Sequence, residues 1–369
     1  MRICITGATG FVGGHAARLL AEHGHEVRAT YRDGSRLEGL EALGIEPVKA
    51  DVLDRAAIRR AVRRCEVVFH TAGFVGSNPA ERVWQVNALA PRVVVEAAAA
   101  EDVRRTIVTS SVSAIGPVPA GEVGSEADPY RGGGLGLRYV DSKHEGEVEA
   151  LAAGARTGIE VVVVNPAYVL GAPVDRSDTA DTSTRMIGSY LRGRLPGVVD
   201  GRVNIVDVRD VAAGHLKAAE SGRPGERYVL GGHNMGWVEL LARVGRLTGV
   251  HHPLAVFPAQ LGAIARRAEA LRIPTGMSPE GLTLMAQNWS FSSAKARREL
   301  GYRPRRLDTT LRDTIDWYRE LIDTGALGSG SPSSLSIAAA GLRAADGLGL
   351  LAGVGLIERY AGRRLLVRQ

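Results

Sequence analysis

Lysine is nearly missing from this chain: of 46 basic residues only Lys49, Lys143, Lys217 and Lys295 are lysines, and the rest are arginines. Cysteine is almost as scarce. Cys4 and Cys65 lie in or beside predicted buried strands without metal-ligand spacing, which excludes a disulfide framework or zinc module and fits a reducing, cytoplasmic setting. Aromatic residues make up only 5% of the chain, and no basic run is interleaved with them, so the net charge of +6 does not read as a nucleic-acid surface. The histidines, among them His70, His144, His251 and His252, form no H-x-x-x-H set, so no metal is expected. No basic-then-apolar leader precedes the opening RICIT, so no secretory signal is expected. The longest apolar stretch near the C-terminus, residues 347–357, is too short to span a bilayer. What remains, 369 residues with 45% hydrophobic and 23% charged side chains, is the composition of a globular protein with a large core.

Short Val/Ile-rich runs alternate with helix-period segments. Strands are predicted at 3–6, 26–30, 45–50, 67–70, 106–111 and 161–165, with helices at about 12–23, 36–43, 54–63 and 79–100 and a further one holding Tyr139. Continuous apolar strands separated by helices imply an α/β fold, a doubly wound parallel sheet of Rossmann type covered on both faces. After residue 171 the rhythm loosens, and a smaller, interleaved C-terminal substrate domain is expected. The organisation expected is therefore 1–170 for nucleotide binding, 171–327 for substrate with part returning to the first domain, and 328–369 as linker and apolar tail helix. The linker is GSGSPSSLS. The tail admits a docking helix or oligomer contact, a peripheral membrane contact with its basic end at Arg359, Arg363 and Arg364, or disorder.

The first strand runs into TGATGFVGG, residues 6–14. Gly7, Gly10 and Gly13, with Thr9, Phe11 and Val12 between and after them, let backbone N–H groups approach a pyrophosphate at a helix N-terminus. After the second strand, Ala29, Thr30 and Tyr31 occupy the place where an acid would bond an adenosine ribose. Arg32, Ser35 and Arg36 follow. Guanidinium groups there suit a 2′-phosphate, so NADP is expected over NAD, although Asp33 leaves the ribose reading open. Asp51 and Val52 stand where they would touch the adenine, and Thr71, Ala72 and Gly73 are small enough to leave room for the cofactor backbone.

Tyr139 and Lys143 are four apart on a predicted helix and share a face. A chain of this composition holds about 0.1 Tyr-x-x-x-Lys pairs at random. Tyrosine is a sluggish acid–base group at neutral pH, and a neighbouring ammonium is expected to lower its pKa.

Taken together the motifs resemble the extended short-chain dehydrogenase/reductase (NAD-dependent epimerase/dehydratase) superfamily. They are TGATGFVG, DV at 51–52, HTAG at 70–73, VNALAPRVVVEAA at 86–98, TSSVSAIG at 109–116, YVDSK at 139–143, VNPAYVLG at 164–171 and DVRDVAAGHL at 207–216. The branch the chain is most similar to holds dihydroflavonol-4-reductase-like reductases, 3β-hydroxysteroid dehydrogenase-like enzymes and hopanoid-associated sugar epimerases. The resemblance implies Tyr139 as proton donor and acceptor, Lys143 holding the nicotinamide ribose, and Ser111 as the third catalytic residue, ahead of Ser110 and Ser113. It also places Asn87 and Pro166 at the cofactor, and implies a homodimer through helices 79–100 and 138–155.

The expected reaction is reduction of a small-molecule ketone or aldehyde, reversibly oxidation of a secondary alcohol. A nucleotide-sugar epimerase or dehydratase is the alternative, and a non-catalytic dinucleotide sensor a third. Relatives that handle sugar diphosphates carry an arginine where this chain has Asn204, and an R-x-G-D motif it does not have. The loop 117–138, rich in glycine, is expected to be mobile and to close over substrate.

Overall fold

The computed structural model describes residues 1–32, 37–179, 183–260, 262, 278–328, 333–361 and 364–367. Seven strands form the main sheet: β1 (Arg2–Thr6), β2 (Glu26–Tyr31), β3 (Glu46–Lys49), β4 (Val67–His70), β5 (Arg105–Thr109), β6 (Glu160–Pro166) and β10 (Arg227–Leu230). Their order is β10-β6-β5-β4-β1-β2-β3, and neighbours pair in parallel throughout. The strands read as continuous apolar runs because both faces are covered and successive side chains enter different cores. Ile3 and Ile5 join one core while Cys4 joins the other, and Val162 and Val164 are split in the same way from Val161 and Val163. The Cys4 and Cys65 thiols are buried and pushed upward in pKa by desolvation, so they serve as core side chains. A parallel sheet puts all the strand C-termini on one edge. Gly7, Thr71, Ser110 and Ala167 therefore start their loops side by side.

The helix expected over 79–100 is three pieces: α4 (Ala80–Trp84), a π-turn at Gln85–Leu89 and α5 (Ala90–Ala99). Pro91 explains the break, since it has no N–H to give the Asn87 carbonyl and the helix widens there. The freed carbonyl faces α6 (Arg138–Thr157), and only glycine fits opposite it. A Cβ on Gly146 would lie 1.9 Å from the Asn87 oxygen.

Residues beyond 167 build a second unit. β9 (Arg202–Asp207) pairs with β7 (Tyr168–Leu170), β11 (His233–Gly236) and β13 (Asn288–Trp289). The chain crosses back between them, because α8 (Val208–Ser221) packs on α1 (Phe11–Glu22) and β10 extends the first sheet. The tail is not one helix. Helices Ser334–Gly347 and Val354–Ala361 lead to β14 (Leu366–Val367), which pairs antiparallel with β12 (Leu254–Phe257), itself beside β8 (Gly197–Val199). Arg343 reaches the Gly193 carbonyl, while Ile337, Leu348, Leu350 and Ile357 stay exposed. Among the described residues no helix is long and apolar enough to cross a membrane.

The 117–138 loop is stapled rather than loose. Val118 and Gly124 give their N–H groups to the carbonyls of Asn288 and Ser290. Asn288 bonds the Pro119 and Glu122 carbonyls, and Arg227 bonds those of Glu126 and Asp128. Glycine density indicated freedom, but side chains distant in sequence supply the restraint.

Candidate active site

The glycine turn after β1 has the geometry its spacing predicts. Gly7 sits at φ +76°, and a Cβ there would meet the Ala72 backbone at 2.6 Å. A Cβ on Gly13 would lie 2.1 Å from the Gly7 oxygen and 2.4 Å from Thr71 Oγ1. The turn therefore closes tightly on the end of β4, with Thr71 Oγ1 donating to the Thr6 carbonyl at 2.6 Å. Gly10 caps α1 without any side chain, so the first N–H groups of that helix face outward without a side-chain acceptor. Thr9, Phe11 and Val12 are half-buried around the same turn. At the other end of the cleft, Gly73 matters for what it lacks: a Cβ there would come within 3.2 Å of Lys143 Nζ. Glycine at this position leaves the Lys143 ammonium room to lie against the loop after β4.

The three expected catalytic side chains come together. Ser111 follows β5 with extended backbone, accepts the Ser113 N–H at 3.1 Å, and its hydroxyl is near enough to the Tyr139 phenol to act on its pKa. Tyr139 lies in the first turn of α6, and Lys143 lies one turn on, 8% exposed, with Nζ donating to the Thr109 carbonyl at 3.3 Å. Burial moves the Tyr139 pKa upward, and the Ser111 bond opposes this only in part. That corrects the expectation of a phenol lowered by Lys143. The ammonium is turned toward Thr109 and Gly73, and desolvation lowers its own pKa to about 8, with Glu147 pulling the other way.

Other expected cofactor residues fare differently. Asn87 is buried with its amide committed: Oδ1 accepts the Phe74 N–H and Nδ2 donates to the Phe74 carbonyl, both at 2.8 Å, and to Ser142 Oγ at 3.2 Å. It braces the loop after β4 against α6. Asp51 accepts the Leu53 N–H at 2.9 Å and faces Arg82 at 3.6 Å, with Val52 buried beside it. Pro166 ends β6, buried. Arg32 is exposed just past β2, and Arg36 lies outside the described residues.

Sequence reading missed the charges behind Lys143. Glu147 is buried, accepting Arg227 Nη1 at 3.0 Å and Asn165 Nδ2 at 2.7 Å. Asn165 also donates to the Ser111 carbonyl at 3.0 Å. The spacing of Glu147 from Lys143, again four, was a visible signal, but nothing local pointed to Arg227. Two buried histidines complete the surroundings. His70 faces Thr6 Oγ1 at 2.8 Å and burial lowers it to about 3, Lys143 adding to the effect. His215 faces Thr109 Oγ1 at 2.7 Å and burial lowers it to about 4. Beside the site, Tyr130 bonds Asp141 and stacks on His144 with ring centroids 3.8 Å apart. An open groove of about 580 Å³ lies elsewhere, against Val123, Phe291 and Arg297, and includes none of these residues.

Residues 3–231 match the model of the NAD dependent epimerase/dehydratase family. A Synechocystis protein bearing the name dihydroflavonol 4-reductase is 34% identical over 85% of this chain and 94% of its own length. Sterol demethylase protein B of Methylococcus capsulatus is 31% identical over 87% of this chain and 99% of its own. The crystal structure of PA4631 from Pseudomonas aeruginosa, titled a nucleoside-diphosphate-sugar epimerase, superposes with a TM-score of 0.72 at 30% identity, covering 89% of this chain and 99% of that one.

Proposed function

The chain belongs to the NAD dependent epimerase/dehydratase family, within the extended short-chain dehydrogenases/reductases, and from that premise we propose that it reduces a ketone or aldehyde with NADPH, reversibly oxidising a secondary alcohol. The observation that carries the reading is the convergence of Ser111, at the end of β5, with Tyr139 and, one helical turn on, a buried Lys143. A bound nicotinamide dinucleotide supplies or accepts the hydride; the chain's own residues handle the proton. As a carbonyl oxygen gains negative charge, the Tyr139 phenol donates to it. Ser111 stands beside that phenol, and the Lys143 ammonium, turned toward Thr109 and Gly73, is placed to hold the nicotinamide ribose. The raised Tyr139 pKa keeps the phenol loaded at neutral pH, which suits the reductive direction; alcohol oxidation gains as pH rises.

NADP over NAD rests on Arg32 at the end of β2, where no acidic side chain precedes it in the strand's last three residues. A substrate without a diphosphate is supported by Asn204. It is buried, donating to Asn234 Oδ1 at 2.7 Å and to the Phe291 carbonyl at 3.0 Å, and accepting the Gly232 N–H at 2.8 Å. Partly buried Leu135, Tyr130 and Leu284 against the same core as Tyr139 support an apolar substrate. So do relatives named for a dihydroflavonol and a sterol.

The second reading, epimerisation of a nucleotide sugar, is favoured by the PA4631 likeness. One assay separates them. With a panel of apolar ketones and aldehydes, net NADPH consumption is expected, faster than with NADH, and Tyr139→Phe is expected to lose about 10³-fold in kcat/KM. Undiminished turnover by Tyr139→Phe overturns the assignment; substrate conversion without net cofactor consumption selects the epimerase.

A further inference from the structure

Lys143 is a buried cation in surroundings that hold little to keep it charged. From β4 it faces His70, and behind Thr109 stands His215; burial holds both imidazoles neutral at ordinary pH. Thr109 offers a carbonyl, and Gly73 offers no side chain. The carboxylate acting on it is Glu147, one turn further along α6. Glu147 is itself fixed from two other strands, by Asn165 on β6 and Arg227 on β10. Arg227 extends the chain of contacts outward, giving its Nε and Nη2 protons to the Glu126 carbonyl at 2.9 and 2.7 Å and an Nη2 proton to that of Asp128 at 3.0 Å. Glu126 answers by accepting the Val229 N–H at 2.7 Å. A hydrogen-bonded path thus runs from Glu147, one helical turn from Lys143 on α6, through its ion pair with Arg227 to the backbone of the 117–138 loop.

We propose that Glu147 is a positioning residue of the hydride-transfer site: it holds the charge of the Lys143 ammonium and, through Arg227, fastens that charge to the loop that borders the substrate. The proposal rests on the reading of Tyr139 and Lys143 given above. A purely structural pair would tie β10 to α6 and nothing more; buried ion pairs are weak stabilisers, so stability alone gives little reason for one here. The geometry goes further, because the same Asn165 that bonds Glu147 also bonds the Ser111 carbonyl. One carboxylate therefore stands one helical turn from the ammonium and, through Asn165, beside the backbone that carries the Ser111 hydroxyl.

The scarcity of lysine makes this directly measurable. With [ε-¹³C]lysine incorporated into the full chain, only four side-chain signals arise, and the one missing in Lys143→Arg identifies Lys143. Its titration by NMR requires neither substrate nor cofactor, so it stands or falls separately from the reductase reading. In the unmodified protein the Lys143 midpoint is expected well below those of the other three lysines. Glu147→Gln is expected to lower it by about one further unit, since the favourable charge is gone. Arg227→Gln is expected to raise it, because Glu147 no longer shares its charge with a guanidinium, and to speed amide exchange in 124–131 at least about tenfold. Opposite signs from two neighbours are not what general loosening produces. A Lys143 midpoint unmoved by Glu147→Gln, or lowered by Arg227→Gln, overturns the proposal; so does unchanged exchange in the loop. If Glu147→Gln does not fold, Arg227→Gln decides alone.

Discussion

The part of this molecule around the glycine turn and the part around β9 and β10 are held by different kinds of interaction. Around β1, fit is local: Gly7, Gly10 and Gly13 sit within seven residues, and their missing side chains let the turn close on Thr71 and Ala72. Around β9 and β10, fit is made by polar side chains that meet from far apart. Arg227 reaches Glu126 across 101 residues, and Thr310 donates to Asp207 across 103. The first kind is a matter of space, the second of paired charge. They should fail differently, the one through volume and the other through pH and charge.

The largest effect is expected where space is tightest. Gly146→Ala would drive a Cβ to 1.9 Å from the Asn87 carbonyl, a backbone atom with no rotamer to change. A loss of about 3 kcal/mol is expected in denaturant unfolding. A loss below about 1 kcal/mol would mean that α6 sits against Asn87 with slack, and the distinction between the two parts would blur.

Asp207 is the counterpart at the end of β9. It caps α8 by accepting the Arg209 N–H, pairs with the Arg209 guanidinium at 2.8 Å and accepts from Thr310 at 2.8 Å. Burial raises its pKa, but the Arg209 bonds outweigh this and hold it below the usual carboxylate range. Its contribution is therefore complete above the unfolded value and lost as pH falls through the lower folded one. Asp207→Asn is expected to cost about 2 kcal/mol at pH 7 and less as the medium is acidified. A cost that does not change with pH would assign the loss to shape rather than charge.

The effect that is smallest at pH 7, and grows only as acid is added, concerns His215, which faces Thr109 from α8. Its folded pKa of about 4 lies below the unfolded value, so the unfolded chain binds the extra proton between roughly pH 6.5 and 4. Stability should fall with acid in that window by about 1.4 kcal/mol per pH unit for this one group. His215→Gln should remove that share of the slope, as read from unfolding midpoints at pH 5 to 7. An unchanged slope would show that His215 keeps its proton in the folded protein.

The contrast also explains what could be read from the chain. β1 to β6, the glycine turn and the Tyr139–Lys143 pair were legible because each rests on a local pattern: period, punctuation, or a spacing of three or four, whereas Ser111 was indicated through the family resemblance. The break at Gln85–Leu89 was also written locally, in Pro91, and was overlooked because apolar periodicity carries on through it. The sequence indicates a short strand at 227–232 and a part of 171–327 returning to the first domain, and β10 bears this out; its place beside β6, the pinned loop and the surroundings of Asn87, Glu147 and Arg227 were not legible. Asn87 falls in a motif that suggested the cofactor, yet its amide is spent on Phe74 and Ser142. Arg227 is one arginine among many, and only the return of β10 to the first sheet gives it a partner.

That return of β10 has a consequence in time. Ser111, Tyr139, Lys143 and Glu147 have all been added to the chain 80 residues or more before Arg227 is made, an interval of at least roughly 4 to 16 s at ordinary elongation rates. Through that interval the first six strands can pair, but the Glu147 carboxylate has no guanidinium to enter the core with. The nascent first sheet therefore waits half-closed, and the arrival of one late strand sets the moment at which the site becomes complete.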